Sequence, residues 1–529
     1  MLLRYTLGFF AWENLFVRIL FAAVVLSFTS LSQAASNFTF DPAPGPHGVG
    51  LRVVEQYDYT RSYRGRYDLV TGKAISGEAA RPVQTVVWYP AAHKAGKRVS
   101  YGEYANLNIT ADSFGLSAAE IGKAAEARLK DAGNEIGAAQ AAAELAAPMQ
   151  AVRDAKPAAG KFPVVIYAPS FSAGAAENAE LCEYLASHGY VVIASPSMGA
   201  TTRSMTDNLE GIETQAADIA FLIGYAHTLP QADLGKLAVA GFSWGGISNV
   251  FVAARDSRVK ALVNLDGSVR YWPEMIEQAK YVQPARVAIP MLFLAQRPRS
   301  LEDVARRAKP VTSFLNEMKY SDLYTVTLHP MEHLAFASES LHMVSDKRFE
   351  EYSRAEAGQA YGWMARYVLN FLNAYLLGQE QGKTFLSNTP KQNGVPAHMV
   401  SAVKAMSQGP APTLEVLAAE AAKSNFSKVQ DVFAAMRKRD PKFNIPEPLL
   451  NDWGYKLLRT GNGKAAVEIL KLATVLYPDS GNAYDSLAEA YEVNQDKVQA
   501  VENYQRSLQL DPGNSNAEKH LKALGAAPH

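Results

Sequence analysis

The residues with the clearest chemical potential lie in the stretch Gly241-Phe-Ser-Trp-Gly245, which has the pattern Gly-x-Ser-x-Gly. This pattern is typical of a serine held on a sharp turn between a strand and a helix, with its hydroxyl exposed at the edge of a sheet. Glycine is expected at 241 and 245 because side chains there would collide with the neighbouring strand and helix. The pattern is short, so the residues around it must decide its meaning.

The sequence on either side of the motif has the expected order of strand, turn and helix. Residues 236–240 form a short apolar run that is typical of a buried strand. Apolar residues then recur at helical spacing after the motif, at Ile247, Val250, Phe251 and Ala254. We therefore predict that Ser243 is a nucleophile; the alternative is a glycine-rich turn that happens to contain a serine.

A nucleophilic serine needs a base, usually a histidine oriented by a carboxylate. With this motif the chain order is serine, acid, histidine. His333 follows the last predicted strand and is the expected base, with His329 as the alternative. Asp266 ends the strand after the motif and is the expected acid, although an aspartate that merely caps the turn at Gly267 would have the same local sequence.

Attack on a carbonyl also needs two backbone amides to stabilise the oxyanion. One is expected from Trp244, the residue after the nucleophile, and the other from the turn after Ala168. Tyr271 and Trp272 are candidates to line a substrate pocket, as is Phe171. Aromatic residues of this kind are more often part of a core, so both interpretations stay open.

The amino-acid composition argues against a nucleic-acid-binding, a disulfide-bonded or a metal-binding protein. The 529 residues include 52 Lys and Arg and 52 Asp and Glu, so no global charge favours a nucleic-acid partner. The single cysteine, Cys182, excludes an internal disulfide and is expected to be a packed helix residue. His329 and His333 are four residues apart, but Pro330 disfavours a helical metal pair. We expect neither a metal nor a cofactor.

The N-terminus has the features of an export signal. Arg4 and Arg18 precede an apolar stretch at 19–28, and small residues at 32–35 would allow cleavage near Ala34 or Ala35. The apolar stretch is short for a membrane anchor, which is the alternative. We predict a signal peptide over residues 1–34 and a periplasmic or secreted protein.

The pattern along residues 35–385 predicts an α/β domain. Short apolar runs alternate with helical patterns from residue 161 onward, which indicates a mainly parallel sheet covered by helices on both faces. An alanine-rich segment at about 111–155 has a helical pattern. It is either an insertion beside or over the active site or an excursion into solvent. A loose linker is expected over residues 386–412.

Residues 413–529 predict an all-α domain with an internal repeat. Positions in one segment have similar partners 34 residues later. The matched pairs are Leu450/Tyr484, Trp453/Leu487, Gly454/Ala488, Leu457/Tyr491, Ala466/Ala500, Leu470/Tyr504, Ala473/Ser507 and Pro478/Pro512. They resemble the tetratricopeptide repeat, preceded by a degenerate hairpin at 413–446 and followed by a capping helix at 517–524. The surface of such a helical repeat domain could bind a partner protein or mediate self-association.

Five segments resemble the platelet-activating factor acetylhydrolase group and the wider dienelactone-hydrolase-like α/β-hydrolases, over roughly residues 45–380. These segments are Pro163-Val-Val-Ile-Tyr, Leu185-Ala-Ser-His-Gly-Tyr-Val-Val-Ile193, Gly241-Phe-Ser-Trp-Gly-Gly246, Leu265-Asp-Gly267 and Glu332-His333. The resemblance implies a triad of Ser243, Asp266 and His333. It also places the second oxyanion amide at Phe171, where Pro169-Ser170 replaces the His-Gly pair of that group.

The resemblance implies ester hydrolysis and does not name the ester. The expected substrate is a small-molecule or lipid-like carboxylic ester, cleaved through an acyl-enzyme on Ser243. A serine peptidase or amidase could use the same residues. A third hypothesis is an inactive hydrolase-fold scaffold whose repeats bind a partner protein. The same triad carries the first two hypotheses, so only a substrate comparison separates them.

Overall fold

The computed structural model describes residues 36–67, 70–75, 77–297, 314–349 and 351–527, which form two compact units divided between Ser407 and Gln408. The predicted signal peptide and its cleavage site at Ala34 or Ala35 lie outside the described residues. Within those ranges, no helix is both long enough and apolar enough to cross a bilayer.

The first unit is built on one sheet, which contains eleven strands in the described part of the chain. Their bounds are β1 Gly48–Ser62, β2 Ala80–Ala91, β3 Arg98–Ser100, β4 Pro148–Arg153, β5 Phe162–Ala168, β6 Val191–Ala194, β7 Ala232–Phe242, β8 Val259–Leu265, β9 Met291–Gln296, β10 Leu323–Leu328 and β11 Val400–Ala405. The order across the sheet is β11-β10-β9-β8-β7-β5-β6-β2-β1-β4-β3. Strands β5 to β10 are parallel, and β2 is antiparallel to both of its neighbours.

Helices cover both faces of this sheet. Their bounds are α1 Tyr101–Leu107, α2 Ala118–Ile136, α3 Ala138–Ala146, α4 Ala179–Ser187, α5 Leu209–Ala226, α6 Trp244–Ala253, α7 Pro273–Gln278, α8 Ser338–Met343, α9 Arg354–Tyr375 and α10 Glu380–Ser387. Helices α4 and α9 share one apolar core with alternate strand residues such as Val165, whereas α5 and α6 share another with Val164. Because successive side chains of a strand point to opposite faces, the near-continuous apolar runs fill both cores. The predicted α/β architecture is confirmed.

The segment expected to be a loose linker at 386–412 contains a strand of the sheet, β11. Strand β11 pairs with β10 in an antiparallel register from Leu323 opposite Ala405 to Leu328 opposite Val400. The side chains of this edge strand are nearly all exposed, so it lacks the apolar pattern by which a strand is recognised from sequence. The first unit therefore extends to Ser407.

The alanine-rich segment at 111–155 is helical as expected through α2 and α3, but it ends in strand β4. This strand runs parallel to β1 and antiparallel to β3. Its burial alternates over only six residues, too short a run to stand out after two helices. The described residues of α2 include none that is fully buried, so this helix lies at the surface of the unit.

A buried ionic cluster ties together the first described residues, the insertion and α8. The ring of His342 lies between two carboxylates, with Nδ1 2.7 Å from Glu144 Oε2 and Nε2 2.6 Å from Glu180 Oε1. Glu144 also accepts hydrogen bonds from the Ser36 hydroxyl and the Asn37 amide. Burial alone would lower the pKa of His342, but the two carboxylates raise it to about 9.

This cluster predicts a loss of stability at alkaline pH. A folded-state pKa raised from 6.5 to about 9 stabilises the fold fully below pH 6.5, and that stabilisation is lost as pH rises through 9. The contribution is on the order of 3 kcal/mol. We expect the unfolding temperature to fall between pH 7 and 9.5 more steeply in the wild type than in His342→Gln. His329→Ala, a control at a less buried ring, should keep the wild-type slope; equal slopes in all three proteins would contradict the prediction.

The second unit is helical throughout its described secondary structure. Its helices are α11 Leu414–Ala422, α12 Val429–Arg439, α13 Glu447–Arg459, α14 Gly463–Leu476, α15 Gly481–Val493, α16 Lys497–Leu510 and α17 Ser515–Ala523. A side chain at Gly454 would come within 2.6 Å of the Leu470 side chain, so the small residue permits close packing of α13 against α14. The all-α character is as expected, whereas the likeness to tetratricopeptide repeats stays a prediction.

Candidate active site

Ser243 lies on a sharp turn between the end of β7 and the start of α6. Its backbone has φ 52° and ψ −113°, a conformation that is costly for a residue with a side chain. Three backbone hydrogen bonds hold it there. The Ser243 amide donates to Leu265 O at 3.1 Å, and its carbonyl accepts from Gly246 at 3.0 Å and Ser268 at 2.7 Å. The turn therefore presents the serine hydroxyl at the carboxyl end of the parallel strands.

The two glycines of the motif are needed for this turn. A Cβ at Gly241 would lie 2.5 Å from the carbonyl oxygen of Gly245, in the first turn of α6. A Cβ at Gly245 would collide with the carbonyl of Ala168 and lie 2.7 Å from Pro169 O, at the end of β5. Real side chains do not approach backbone this closely, so the collisions expected from the sequence are confirmed.

In the structure, the predicted nucleophile, base and acid lie in contact with one another. His333 Nε2 is 2.8 Å from Ser243 Oγ, and His333 Nδ1 is 2.6 Å from Asp266 Oδ2. Asp266 follows β8, and His333 begins a 3-10 turn, His333–Phe336, after β10. The carboxyl ends of parallel strands meet at one edge, which is how residues 67 and 90 positions from His333 reach it.

The Asp266 carboxylate is fully buried and held on its other oxygen. Oδ1 accepts a hydrogen bond from the Gln296 amide at 3.1 Å and from the Tyr271 hydroxyl at 3.0 Å. Burial and the neighbouring carboxylate raise the pKa of Tyr271 to about 12, so its hydroxyl remains a donor at neutral pH. These contacts fix which oxygen faces His333.

The alternative base, His329, is directed elsewhere. Its amide donates to Met399 O at 2.9 Å, and its ring lies 3.1 Å from Ser401 Oγ on the edge strand β11. It therefore contacts the neighbouring strand and not Ser243. His329 provides a natural comparison for His333.

The two amides expected to bind an oxyanion come from Phe171 and Trp244. Across the described residues neither amide donates a hydrogen bond, and the two rings make an edge contact with centroids 5.7 Å apart. The start of α6 lies against the end of β5, as the collision at Gly245 shows. The two donors thus belong to adjoining segments beside Ser243.

The aromatic residues proposed for a substrate pocket lie at the protein surface. Phe171 is 41% exposed, Tyr271 40% and Trp272 36%, values that are high for large aromatic side chains. The Trp272 ring makes an edge contact with Trp244 at 5.8 Å. Tyr271 is directed to Asp266 through its hydroxyl, a contact that sequence reasoning missed.

Two further side chains contact the turn after β5, and sequence reasoning missed both. Glu177 accepts hydrogen bonds from the amide and the hydroxyl of Ser170, each at 2.7 Å. Gln215 Nε2 donates to Pro169 O at 2.7 Å from helix α5. In the sequence, Glu177 and Gln215 are single polar residues outside every motif described above, so neither carries a signal for this role.

Within the described ranges, no group of three His, Cys, Asp or Glu side chains is placed to hold a metal ion. The single cysteine, Cys182, is buried in α4, and burial raises the pKa of its thiol well above the usual value. It packs as the sequence predicted.

Comparison with known proteins gives two partial likenesses. A sequence profile of the chlorophyllase family matches residues 126–268, about a quarter of the chain, a range that includes Ser243 and Asp266. A solved structure of a ferulic acid esterase from Streptomyces cinnamoneus is 20% identical and has a TM-score of 0.42; the match covers 64% of this chain and 93% of that one. No curated protein is significantly similar. The chain thus has a local likeness to the chlorophyllase family, and its mainly parallel sheet covered by helices on both faces is an α/β fold.

Proposed function

We propose that the protein is a serine hydrolase that cleaves carboxylic esters through an acyl-enzyme on Ser243. The observation that carries this proposal is the continuous chain of hydrogen bonds from Ser243 Oγ through His333 to Asp266. A serine, a histidine and a buried carboxylate in this geometry form the arrangement that activates a hydroxyl for attack on a carbonyl. The local likeness to the chlorophyllase family supports a carboxylic ester over an amide as the substrate.

In the proposed first step, Ser243 Oγ attacks the ester carbonyl and His333 Nε2 accepts its proton. Asp266 Oδ2 accepts the Nδ1 hydrogen bond, which leaves the Nε2 lone pair directed at the serine and stabilises the charged ring. The amides of Phe171 and Trp244 donate to the oxyanion of the tetrahedral intermediate. His333 then protonates the leaving alkoxide, so the alcohol departs and the acyl group stays on Ser243.

In the second step a water molecule replaces the alcohol. His333 removes a proton from the water as its oxygen attacks the acyl carbonyl, and the same two amides hold the new oxyanion. Collapse of this intermediate breaks the bond to Ser243 Oγ, which regains its proton from His333. The products are a carboxylic acid and the free enzyme.

The experiment compares two kinds of leaving group on one protein. We expect the wild type to hydrolyse p-nitrophenyl acetate or butyrate, and to hydrolyse the matching p-nitroanilide at least about 100-fold more slowly, because a poorer leaving group raises the barrier. A fluorophosphonate probe should label Ser243, located by peptide mass spectrometry. Ser243→Ala, which lacks the proposed nucleophile, is the negative control in every assay.

The outcomes separate the three hypotheses. Equal ester hydrolysis by the wild type and Ser243→Ala would refute the proposal. Faster cleavage of anilide or peptide than of ester would assign the peptidase or amidase activity. No labelling and no hydrolysis would favour the inactive scaffold.

A further inference from the structure

The turn Pro169-Ser170-Phe171 is the place where this chain departs from the His-Gly sequence of the group that it resembles. The proposed mechanism requires this turn to hold the Phe171 amide in one position. A short loop at the end of a strand has alternative conformations, so contacts with the rest of the protein must select this one. The side chains around the turn supply the restraint.

Glu177 binds the turn at two points. Its Oε1 accepts the Ser170 amide at 2.7 Å, and its Oε2 accepts the Ser170 hydroxyl at 2.7 Å. Both bonds are to the residue immediately before the proposed donor, Phe171. A carboxylate that accepts a backbone amide and a hydroxyl of the same residue restrains both its position and its rotation.

Glu177 is itself rigidly held. Its Oε1 also accepts the Tyr167 hydroxyl at 2.8 Å, and the side chain is only 4% exposed. The Glu177 carbonyl accepts hydrogen bonds from the Ser338 hydroxyl at 3.1 Å and the Glu339 amide at 3.0 Å. Residues 338 and 339 begin α8, which is separated by one residue from the 3-10 turn that carries His333, so Glu177 connects both parts of the site.

Burial of this carboxylate has a cost that its hydrogen bonds offset only in part. Burial raises the pKa of Glu177 to about 7, although the hydrogen bonds from Ser170 and Tyr167 oppose the rise. A buried carboxylate is expected where its hydrogen bonds have a specific structural use. In the described residues, every hydrogen bond to the Glu177 carboxylate comes from β5 or from the turn that follows it.

We propose that Glu177 is a positioning residue for the proposed hydrolysis, holding Ser170 so that the Phe171 amide faces the oxyanion. The inference rests on the proposed function. Ser170 contributes to the same restraint, because its hydroxyl donates a second hydrogen bond to Glu177, which a glycine at this position could not do. The pair thus compensates for the missing His-Gly sequence.

A matched control lies six residues away. Glu183 is 1% exposed, and it also accepts three hydrogen bonds, from the Tyr104 hydroxyl and the amides of Gln150 and Ala151. Burial raises its pKa to about 7 as well. None of its partners belongs to the turn, so loss of Glu183 reports the structural cost of removing a buried carboxylate.

The test measures kcat per competent Ser243, counted by saturating fluorophosphonate labelling. We expect Glu177→Ala to lower kcat for p-nitrophenyl butyrate about 100-fold with KM within about threefold, because a misplaced donor weakens only the transition state. Glu177→Gln should recover part of the loss, since its amide oxygen can still accept from Ser170. Glu183→Ala should keep kcat within about threefold. Ser170→Ala should lower kcat about tenfold even if Glu177→Ala fails to fold.

The results are decisive in both directions. Glu177→Ala or Ser170→Ala with kcat within twofold of the wild type would overturn the inference, as would an equal loss in Glu183→Ala. If the wild type is labelled at Ser243 but hydrolyses no ester, the proposed function fails separately. The rate of labelling in the same variants then tests the positioning role, because the attack by Ser243 on the phosphorus also develops charge on an oxygen.

Discussion

Replacement of His333 by alanine is expected to lower kcat for p-nitrophenyl butyrate by about 10⁴-fold or more, with little change in KM. The reason is that a neutral serine hydroxyl is a weak nucleophile, and His333 Nε2, 2.8 Å from Ser243 Oγ, is placed to remove its proton. The substrate should still bind, because the imidazole acts on the reacting hydroxyl. Initial rates over a range of substrate concentrations give the two constants separately.

His329→Ala is the matched control for this experiment. It removes an imidazole only four residues away, whose contacts are with Met399 and Ser401, so kcat should stay within about twofold of the wild type. The double variant Ser243→Ala/His333→Ala should be no slower than Ser243→Ala alone, because residues that act as a unit lose their effect together. Similar losses in His329→Ala and His333→Ala would assign the effect to damage of the loop.

The proximity of the three central residues of the candidate site could be predicted because each has a local sequence signal. Ser243 has the glycine pattern, whereas Asp266 and His333 each follow an apolar run that ends where a parallel strand ends. The physical rule that the carboxyl ends of parallel strands share one edge converts these positions in the chain into neighbours. The core strands were predictable for the same reason, since burial on both faces leaves continuous apolar runs.

The supporting contacts had no such signal. Glu177 and Gln215 reach the turn after β5 only because the segment before α4, helix α5 and the start of α8 pack around it. A polar residue on a helix has many possible partners, and sequence spacing does not choose among them. Strand β11 escaped prediction for the related reason that an exposed edge strand needs backbone pairing but no apolar pattern.

Some positions of the candidate site require a particular residue type, and others do not. The side chains of Ser243, Asp266 and His333 take part in the proposed chemistry, so the residue types at these three positions are fixed. The turn at Pro169-Ser170 contributes a backbone amide, and any side chains that hold the loop in place can serve. A different sequence there is therefore compatible with the same reaction, provided that Glu177 and Gln215 supply the restraint.

Gly245→Ala is expected to damage both the fold and the activity. The added Cβ would collide with Ala168 O and lie 2.7 Å from Pro169 O, both of them backbone atoms that cannot rotate away. Helix α6 must then move from β5, at a cost of about 2 kcal/mol or more in the free energy of unfolding. Because that movement also separates Trp244 from the turn that holds Phe171, kcat should fall at least about 100-fold.

Gly224→Ala is the control that separates this collision from the general effect of replacing a glycine. Gly224 is an exposed residue of α5 with no atom within 4 Å of the added Cβ, so alanine should raise helix stability by about 1 kcal/mol and leave kcat unchanged. Urea unfolding and initial rates measure the two effects on the same samples. A Gly245→Ala protein with wild-type stability and turnover would contradict this prediction. It would show that α6 can move away from β5 at no cost, and that the close approach of these two elements is not needed to position the two proposed oxyanion donors.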